Sequence, residues 1–383
     1  MSFHLYHIRS LAQFREITSS WDNLWLRSET ALPVAQAAWI SQWLQAFRSD
    51  TEFHALAVEE DEKLVAALPL VGEKKAKLLK VGMLPRNEWA PCGDLLWDTS
   101  ADAAALDLLV QGLRQLPWSI LMLNGVPFER PDWHAFLNAA RRANLSIHAE
   151  AKAQVGVVDC TGDWDAFQDA WSSNHRRHMR KALRKAETEG QIALHVLNQF
   201  SDDQEIAEQV RRGFAVEDRS WKGTGTNSSV LKTPGLLDYY IRQAQAAAAN
   251  GQLQLVFLEF NGQPIAFEYG WLAKGTYFTP KVGYDEAFGR FTPGQLLRYM
   301  LYEKLHAEQN IHTVDFAGEL SAATAKWTTG TYPVGRVVVG CGSLRSRWLL
   351  KSYTTVRAFR NRKAHVQSPS ANPPVPAELE VVQ

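Results

Sequence analysis

Leu253-Gln-Leu-Val-Phe-Leu-Glu-Phe260, Asn261-Gly262-Gln263 and Pro264-Ile-Ala-Phe-Glu-Tyr-Gly-Trp-Leu272 read together as a β-hairpin. Two apolar runs of strand length flank an Asn-Gly turn, the dipeptide whose backbone most readily reverses a twisted ribbon. A third strand is expected over Thr276 to Tyr284. The loop Asp285-Glu-Ala-Phe-Gly-Arg-Phe-Thr-Pro-Gly294 then opens into a helix from Gln295 to Glu308, and Ile311-His-Thr-Val-Asp-Phe316 and Lys326-Trp327 follow. A strand that feeds through a Gly-containing loop into a helix exposes unpaired N–H groups and the positive end of the helix dipole. A phosphate-bearing donor can be held there.

Working back from this stretch, the periodicity predicts a strand at Gln154 to Asp159, a helix starting at Asp163 to Trp171, and a basic helix from His175 to Glu189 closed by Gly190. A strand at Ile192 to Val196 and helices at Asp202 to Asp218 and Pro234 to Asn250 complete that unit, and Arg336 to Val339 is its last strand. The first 150 residues show a similar succession. A strand at 4–9 leads to helices at Leu11 to Ser28 and Trp39 to Phe47, and then a hairpin of Phe53 to Glu59 and Lys63 to Val71 about Glu60-Asp61-Glu62. Strands at Lys77 to Gly82 and Asp94 to Leu96, a helix at Ala101 to Gln115 and a strand at Ser119 to Asn124 come next. A helix at Pro131 to Ala143, closed by Asn144, and a strand at Ile147 to Ala151 end it. The pattern is mixed α/β. The expected domains are 1–150, 151–343, a basic helical segment at 344–364, and a Ser-, Pro- and Ala-rich tail at 365–383 read as disordered.

At 383 residues the chain can bury two cores. Lys+Arg and Asp+Glu balance at 41 each, which sets a global electrostatic affinity for nucleic acid aside. Cys92, Cys160 and Cys341 are far apart, without metal-ligand spacing, so no metal is expected and a reducing, cytoplasmic setting is. The first residues carry neither a basic leader nor a long apolar run.

Gly262-Gln-Pro-Ile-Ala266, Lys281-Val-Gly-Tyr-Asp285, Thr292-Pro-Gly294-Gln-Leu-Leu297, Asp315-Phe316 and Lys326-Trp327 stand in the order of a known pattern. Ser173 through Gly190 and Glu217-Asp-Arg-Ser-Trp-Lys-Gly223 precede them. The set resembles the acyltransferase domain of the GNAT superfamily, in the CelD/BcsL-type (Acetyltransferase 6) branch related to Fem-type peptidyltransferases, over roughly residues 150–340. The resemblance implies two tandem GNAT-like acyl-CoA N-acyltransferase folds, each a mostly antiparallel sheet flanked by helices. It further implies acetyl transfer from acetyl-CoA to an amine, the acceptor being a glycan precursor of envelope or exopolysaccharide synthesis. Two other readings stay open. One is a Fem-type transferase fed by aminoacyl-tRNA through the basic helix; the other is a non-catalytic binding protein. The usual phosphate loop of the family has Gly-x-Gly/Ala, whereas here Gly289-Arg290 precedes Pro293-Gly294.

Acyl transfer needs a place for the donor's phosphates, groups that polarise the carbonyl, and a base. Thr292, Pro293, Gly294 and Gln295 are the donor candidates, with Lys281 and Gly283 on the strand before them; the same residues also suit an ordinary helix start capped by Thr292. Asp285, Asp315 and Glu217 are the candidate bases, each equally readable as a turn or strand-end residue. Lys326 would sit over an anionic intermediate or pack beside Trp327. Glu268, in an apolar strand, must face a cleft, solvent or a cation, because an unpaired buried carboxylate is costly. Trp221 and Lys222 enter a polar loop through 224–229 that suits an acceptor lid, with Trp221 expected to dock. The basic helix offers Arg176, Arg177, Arg180, Lys181, Arg184 and Lys185 to solvent or to an anion. Between 344 and 363 no acid accompanies the basic residues, which allows peripheral contact with an anionic membrane.

Overall fold

A computed structural model describes residues 2–48, 52–75, 79–224 and 229–367. The chain divides into two compact units, the described parts of 1–30, 34–153 and 333–383 in the first and of 31–33 and 154–332 in the second.

Unit 1 begins with β1 (Phe3–Ile8), α1 (Leu11–Glu16), α2 (Thr18–Arg27) and α3 (Ala37–Phe47). The single helix expected from Leu11 to Ser28 is broken at Ile17, where ψ rises to 11° and Ile17 caps one helix while starting the next. Then come β2 (Phe53–Glu60), β3 (Lys63–Lys75), β4 (Leu79–Met83), β5 (Leu96–Trp97), α4 (Ala104–Gly112), β6 (Ile120–Pro127) and α5 (Pro131–Arg142). The two strands expected around 147–159 are one continuous strand, β7 (Ile147–Asp159), within which the chain passes to unit 2. Glu150 and Lys152, where the sequence loses its apolar alternation, pair with each other within the strand, and Glu150 also meets Arg357.

Unit 2 continues with α6 (Trp164–Asp169), α7 (Ser173–Glu189), β8 (Ile192–Leu197), α8 (Asp203–Asp218), α9 (Trp221–Thr224) and α10 (Leu236–Ala249). It then runs through β9 (Leu253–Phe260), β10 (Gln263–Ala273), β11 (Thr276–Tyr284), α11 (Pro293–Glu308) and β12 (Thr313–Glu319). β13 (Gly330–Gly340) returns the chain to unit 1 at Pro333, where the sequence reading carried the second unit on to 343, and α12 (Leu344–Gln367) follows. The expected strand start at Lys77 and most of the 224–229 loop fall outside the described residues, as does the tail beyond 367.

Within unit 1 the strands lie in the order β1-β2-β3-β4-β6-β13; within unit 2 the order is β8-β9-β10-β11-β12-β7. Both sheets are antiparallel except at one place, where β4 pairs parallel with β6 and β11 with β12. In both, the last strand is supplied by a segment that carries the chain across. β13 residues 334–340 pair with β6, and β7 residues 155–159 pair with β12.

The hairpins form for local reasons. Asn261 and Gly262 take φ of 51° and 78°, and Lys274 and Gly275 take 48° and 73°. These left-handed pairs match the strand twist. The corresponding turn in unit 1 uses Asp61 and Glu62 at 48° and 66°, where a glutamate holds a conformation that glycine adopts freely. α8 starts on Asp202, whose carboxylate accepts the Glu205 N–H at 2.8 Å while Glu205 returns to the Ser201 N–H at 2.7 Å. α8 and α10 cover one face of the unit 2 sheet and α7 and α11 the other. The second layer encloses a core of Met179, Leu296, Leu301, Tyr302 and Trp327.

Candidate functional site

The parallel pair of unit 2 is short. Thr276, Tyr277 and Phe278 match Thr313, Val314 and Asp315, and there the pairing stops. Both strands are irregular immediately afterwards. Against β10, Tyr269 pairs with Lys281 but Trp271 with Phe278, so β11 carries one extra residue at Thr279-Pro280. Against β7, Asp315 pairs with Val157 but Glu319 with Val155, and Ala317 stands at φ 50°. Such bulges bend a strand and re-aim its side chains. Both irregularities fall where the β11–β12 ladder ends, at Phe278 and Asp315.

Asp315 is buried. Its carboxylate accepts the Ala317 N–H at 2.7 Å and the Tyr332 hydroxyl at 2.8 Å, and burial pushes its pKa above the ordinary value against both bonds. The other three carboxylates singled out by sequence each have a cation. Arg219 donates to Asp285 at 2.6 Å, while Asp285 also caps the Ala287 N–H that opens the 3-10 turn 286–291. Lys222 Nζ donates to Glu217 at 2.9 Å and to the Val282 carbonyl at 2.7 Å, on β11 beyond its pairing with β12. Arg298 of α11 donates to Glu268 at 3.1 Å in the core, and the Tyr277 hydroxyl is 3.5 Å from the same carboxylate. Glu268 is 2% exposed, so of the three settings open to it the cation is realised and the solvent-facing one is overturned. Its pKa is raised by burial, with Arg298 opposing. Among the described residues, Asp315 is the one of the four with no Lys or Arg within ion-pair distance.

The extra residue in β11 turns Lys281 to the face of α8 and α10. Its ammonium lies 5.5 Å from the Tyr240 ring centroid, and burial lowers its pKa to about 8, with Glu217 opposing and Lys222 adding to the fall. Gly283 shares that face. A Cβ there would stand 2.6 Å from Glu217 Cα, a backbone atom that cannot move aside, so this glycine is required by close packing of α8 on β11. Glu217, Lys222, Lys281 and Gly283 are thus one cluster, opposite the face on which α11 holds Glu268.

α11 starts in an unusual way. Thr292 occupies the N-cap position at φ 49°, ψ 55°, a region costly for a β-branched residue, and its hydroxyl caps nothing. The helix start with a capping Thr292 side chain is therefore corrected. Instead the Thr292 carbonyl accepts the N–H groups of Gln295 and Leu296, each at 3.0 Å. Pro293 has no N–H, which leaves the Gly294 N–H as the donor without an intrahelical partner. A side chain at Gly294 would meet only the Tyr284 ring at 3.6 Å, and the first turn carries no acid. The Gln295 amide oxygen is committed to the Trp327 indole at 2.6 Å, and Trp327 is fully buried against Trp171, His175 and Tyr302.

Two expected members stand apart. Lys326 is exposed, and its charge is felt by His175, whose pKa is lowered chiefly by burial. Trp221, at the start of the single turn α9, is 50% exposed, which corrects the expectation that it docks. Sequence reasoning missed Arg298 and Tyr332. A lone arginine among Leu296, Leu297, Leu301 and Tyr302 marks a buried cation needing a carboxylate, and Glu268 was the matching signal one strand away. Tyr332 had no signal, since only the fold brings it to Asp315. A cavity of about 540 Å³ lies at the opposite end of α11, lined by Trp164, Glu303, His306 and Gln309, and takes in none of these groups. No metal-holding group of His, Cys, Asp and Glu is found among the described residues, and no described helix is long and apolar enough to cross a membrane.

Residues 173–326 match the family model of the acetyltransferase (GNAT) domain. No curated protein matches the sequence. Among solved structures the chain is similar to FemX at 11% identity, with a TM-score of 0.57 over 88% of this chain and 96% of that one. It is also similar to the C-terminal domain of a putative lysylphosphatidylglycerol synthetase from Agrobacterium fabrum, at 11% identity and TM-score 0.52 over 90% and 96%. A conserved protein of unknown function from Bacteroides thetaiotaomicron gives 12% identity and TM-score 0.52 over 88% and 99%. At such identities the likeness is one of fold.

Proposed function

We propose that unit 2 transfers an acyl group, acetyl from coenzyme A, to an amine by direct attack, with Asp315 receiving the amine proton. The observation that supports this reading is the end of the parallel ladder: β11 is no longer paired with β12 after Phe278 and Asp315, and the Gly294 end of α11 lies against Tyr284 at the end of the same strand. An edge of β11 without a strand partner offers N–H and C=O groups to an extended amide-bearing arm, as strand edges do. The donor's phosphates would meet the Gly294 N–H and the dipole of α11, where the side chain is absent and no acid repels them.

In the reaction the amine nitrogen attacks the thioester carbonyl, the C–N bond forms and the C–S bond breaks. The proton lost by nitrogen passes to the Asp315 carboxylate, which then releases it to solvent, and the departing thiolate takes one proton from water. A carboxylate at its ordinary pKa is a weak base towards an ammonium; burial without a counter-cation moves Asp315 in the useful direction. The Ala317 N–H holds one oxygen and the Tyr332 hydroxyl the other, so each oxygen keeps one lone pair for the acceptor. Lys281, with Glu217 and Lys222, faces away from α11, so this cluster is assigned to the acceptor rather than to the phosphates. An amine-bearing glycan precursor of the CelD/BcsL-type reading suits such a mixed-charge setting. Asp285 and Gln295 act through structure, one fixing the turn before α11 and the other Trp327.

Titration calorimetry with acetyl-coenzyme A tests the donor. Saturable binding that Gly294→Trp abolishes is expected; absence of binding at millimolar donor would remove coenzyme A from the reading. The aminoacyl-tRNA alternative rests on α7, whose Arg177, Arg180, Lys181, Arg184 and Lys185 are exposed on one side while Met179, Ala182 and Ala186 pack inward. Transfer abolished by ribonuclease would favour it.

A further inference from the structure

α12 carries Arg345, Arg347, Lys351, Arg357, Arg360, Arg362 and Lys363 and no acid between Leu344 and Gln367. Its inner side is settled within unit 1. Leu349, Leu350 and Tyr353 pack with Val81, Met83, Ile120 and Val338, and Arg357 is clamped on Glu150 at 2.6 Å. The outer side is not like the rest of the surface. Leu344 is 83% and Trp348 67% exposed, one helical turn apart, and Lys351 and Thr355 continue the same stripe. Arg345 and Arg347 flank it, Val356 is also more than half exposed, and none of Arg345, Arg347 and Lys351 forms an ion pair among the described residues. Large apolar side chains set among uncompensated cations need a partner that is both anionic and apolar.

We propose that this face of α12 docks on an anionic lipid bilayer. A phospholipid surface supplies phosphate charge for Arg345, Arg347 and Lys351, and hydrocarbon immediately beneath for Leu344 and Trp348, the arrangement of an interfacial helix. Tryptophan suits that boundary because one end of the ring is apolar and its N–H stays wet. A nucleic acid would satisfy the charges and leave Leu344 in water, so the apolar half of the stripe selects the lipid. With its inner side packed on unit 1, the helix is presented already folded and loses no ordering entropy on contact.

Co-sedimentation of the full chain with vesicles tests this. Vesicles of phosphatidylcholine containing phosphatidylglycerol should retain the protein at least about tenfold better than phosphatidylcholine alone, and salt should weaken the retention. Two variants separate the halves of the surface: Leu344→Ser with Trp348→Ser, and Arg345→Glu with Arg347→Glu and Lys351→Glu. All five positions are exposed, so folding is preserved, and an unchanged circular dichroism melt verifies it. Each variant should lose most of the vesicle binding. The proposal is overturned if anionic vesicles retain nothing, or if both variants still bind. It is equally overturned if RNA displaces the vesicles while the serine variant binds RNA normally, or if that variant merely converts a dimer to a monomer, since a second copy would then be what covers Trp348.

Discussion

The two units share one strand order and differ along its parallel seam. In unit 1 the parallel pair is reduced to Gly82 opposite Leu121, and the Trp118 side chain lies where a Cβ on Gly82 would go. Arg86 donates to the Asn124 carbonyl at 2.5 Å, further along β6, and a half-buried Arg130 sits between the buried carboxylates of Asp94 at 2.8 Å and Asp132 at 2.8 Å. The helix after β4 starts without glycine or proline at its first positions, and its first turn contains Asp107. In unit 2 the equivalent strands carry two bulges, the helix starts on Thr292-Pro293-Gly294, and no acid stands in its first turn. The seam is filled by Trp118 and Arg86 in one unit and interrupted by two bulges in the other. A fold of this kind builds a sheet whether or not its parallel seam is used, and the proposed function rests on the seam that bulges interrupt rather than on the one that tryptophan and arginine fill.

The sharpest way to break the comparison is chemical. Asp315→Asn should lower the transfer rate by about 10²–10⁴-fold, the usual worth of a general base, with little effect on donor binding. In the wild type the rate should rise as pH climbs through the raised pKa of Asp315, and that limb should vanish in the variant. Asp94→Asn in unit 1 should leave the rate unchanged. Normal turnover by Asp315→Asn would transfer the proton to another group.

Next in size are the buried ion clusters. Arg298→Met and Arg130→Met each strand a buried carboxylate and should cost about 3–5 kcal/mol of their own unit's stability. Denaturant unfolding followed by far-ultraviolet circular dichroism would show whether each substitution moves one phase of a biphasic curve or the whole transition. A single shared transition would mean that the units are stabilised together.

A smaller difference concerns the helix starts. Gly294→Trp should weaken acetyl-coenzyme A by more than about tenfold, some 1.4 kcal/mol. Ala103→Trp, at the start of the corresponding helix in unit 1, should change it by less than calorimetry resolves. Equal losses would place the donor elsewhere.

The least effect is a slope. Lys281 has a folded pKa of about 8, below the ordinary lysine value of 10.5, so folding favours its neutral form. Its contribution to stability is fully present above the unfolded pKa and lost as pH falls through about 8. Wild type should therefore gain on Lys281→Met between pH 8 and 10.5 in parallel thermal melts, and identical slopes would show that Lys281 is solvated rather than buried against Tyr240.

Much of the fold was legible. The Asn261-Gly262 turn, the helix after Pro293, the close of α5 at Asn144 and the run of three antiparallel strands in each unit all follow from local chemistry, and the sequence placed them within a few residues. The kink at Ile17 and the fusion of two strands into β7 were not legible, because each depends on what the chain packs against. Of the candidate site, the sequence offered the carboxylates but not the partner of each. Asp285, Glu217, Glu268 and Asp315 look alike as carboxylates at strand or helix ends, and nothing along the chain says which of them meets a cation.

What the sequence by itself determined is therefore the inventory: the elements, their order, the carboxylates, and the glycine and proline that let a helix begin with an open end. Only the tertiary structure decided the assignment. Arg219, Lys222 and Arg298 reach their carboxylates across separations of 66, 5 and 30 residues, and Tyr332 reaches Asp315 from a strand that closes the unit. Charge neutralisation acts over a few ångströms of space, and spacing along the chain carries almost no information about that distance once a sheet has folded.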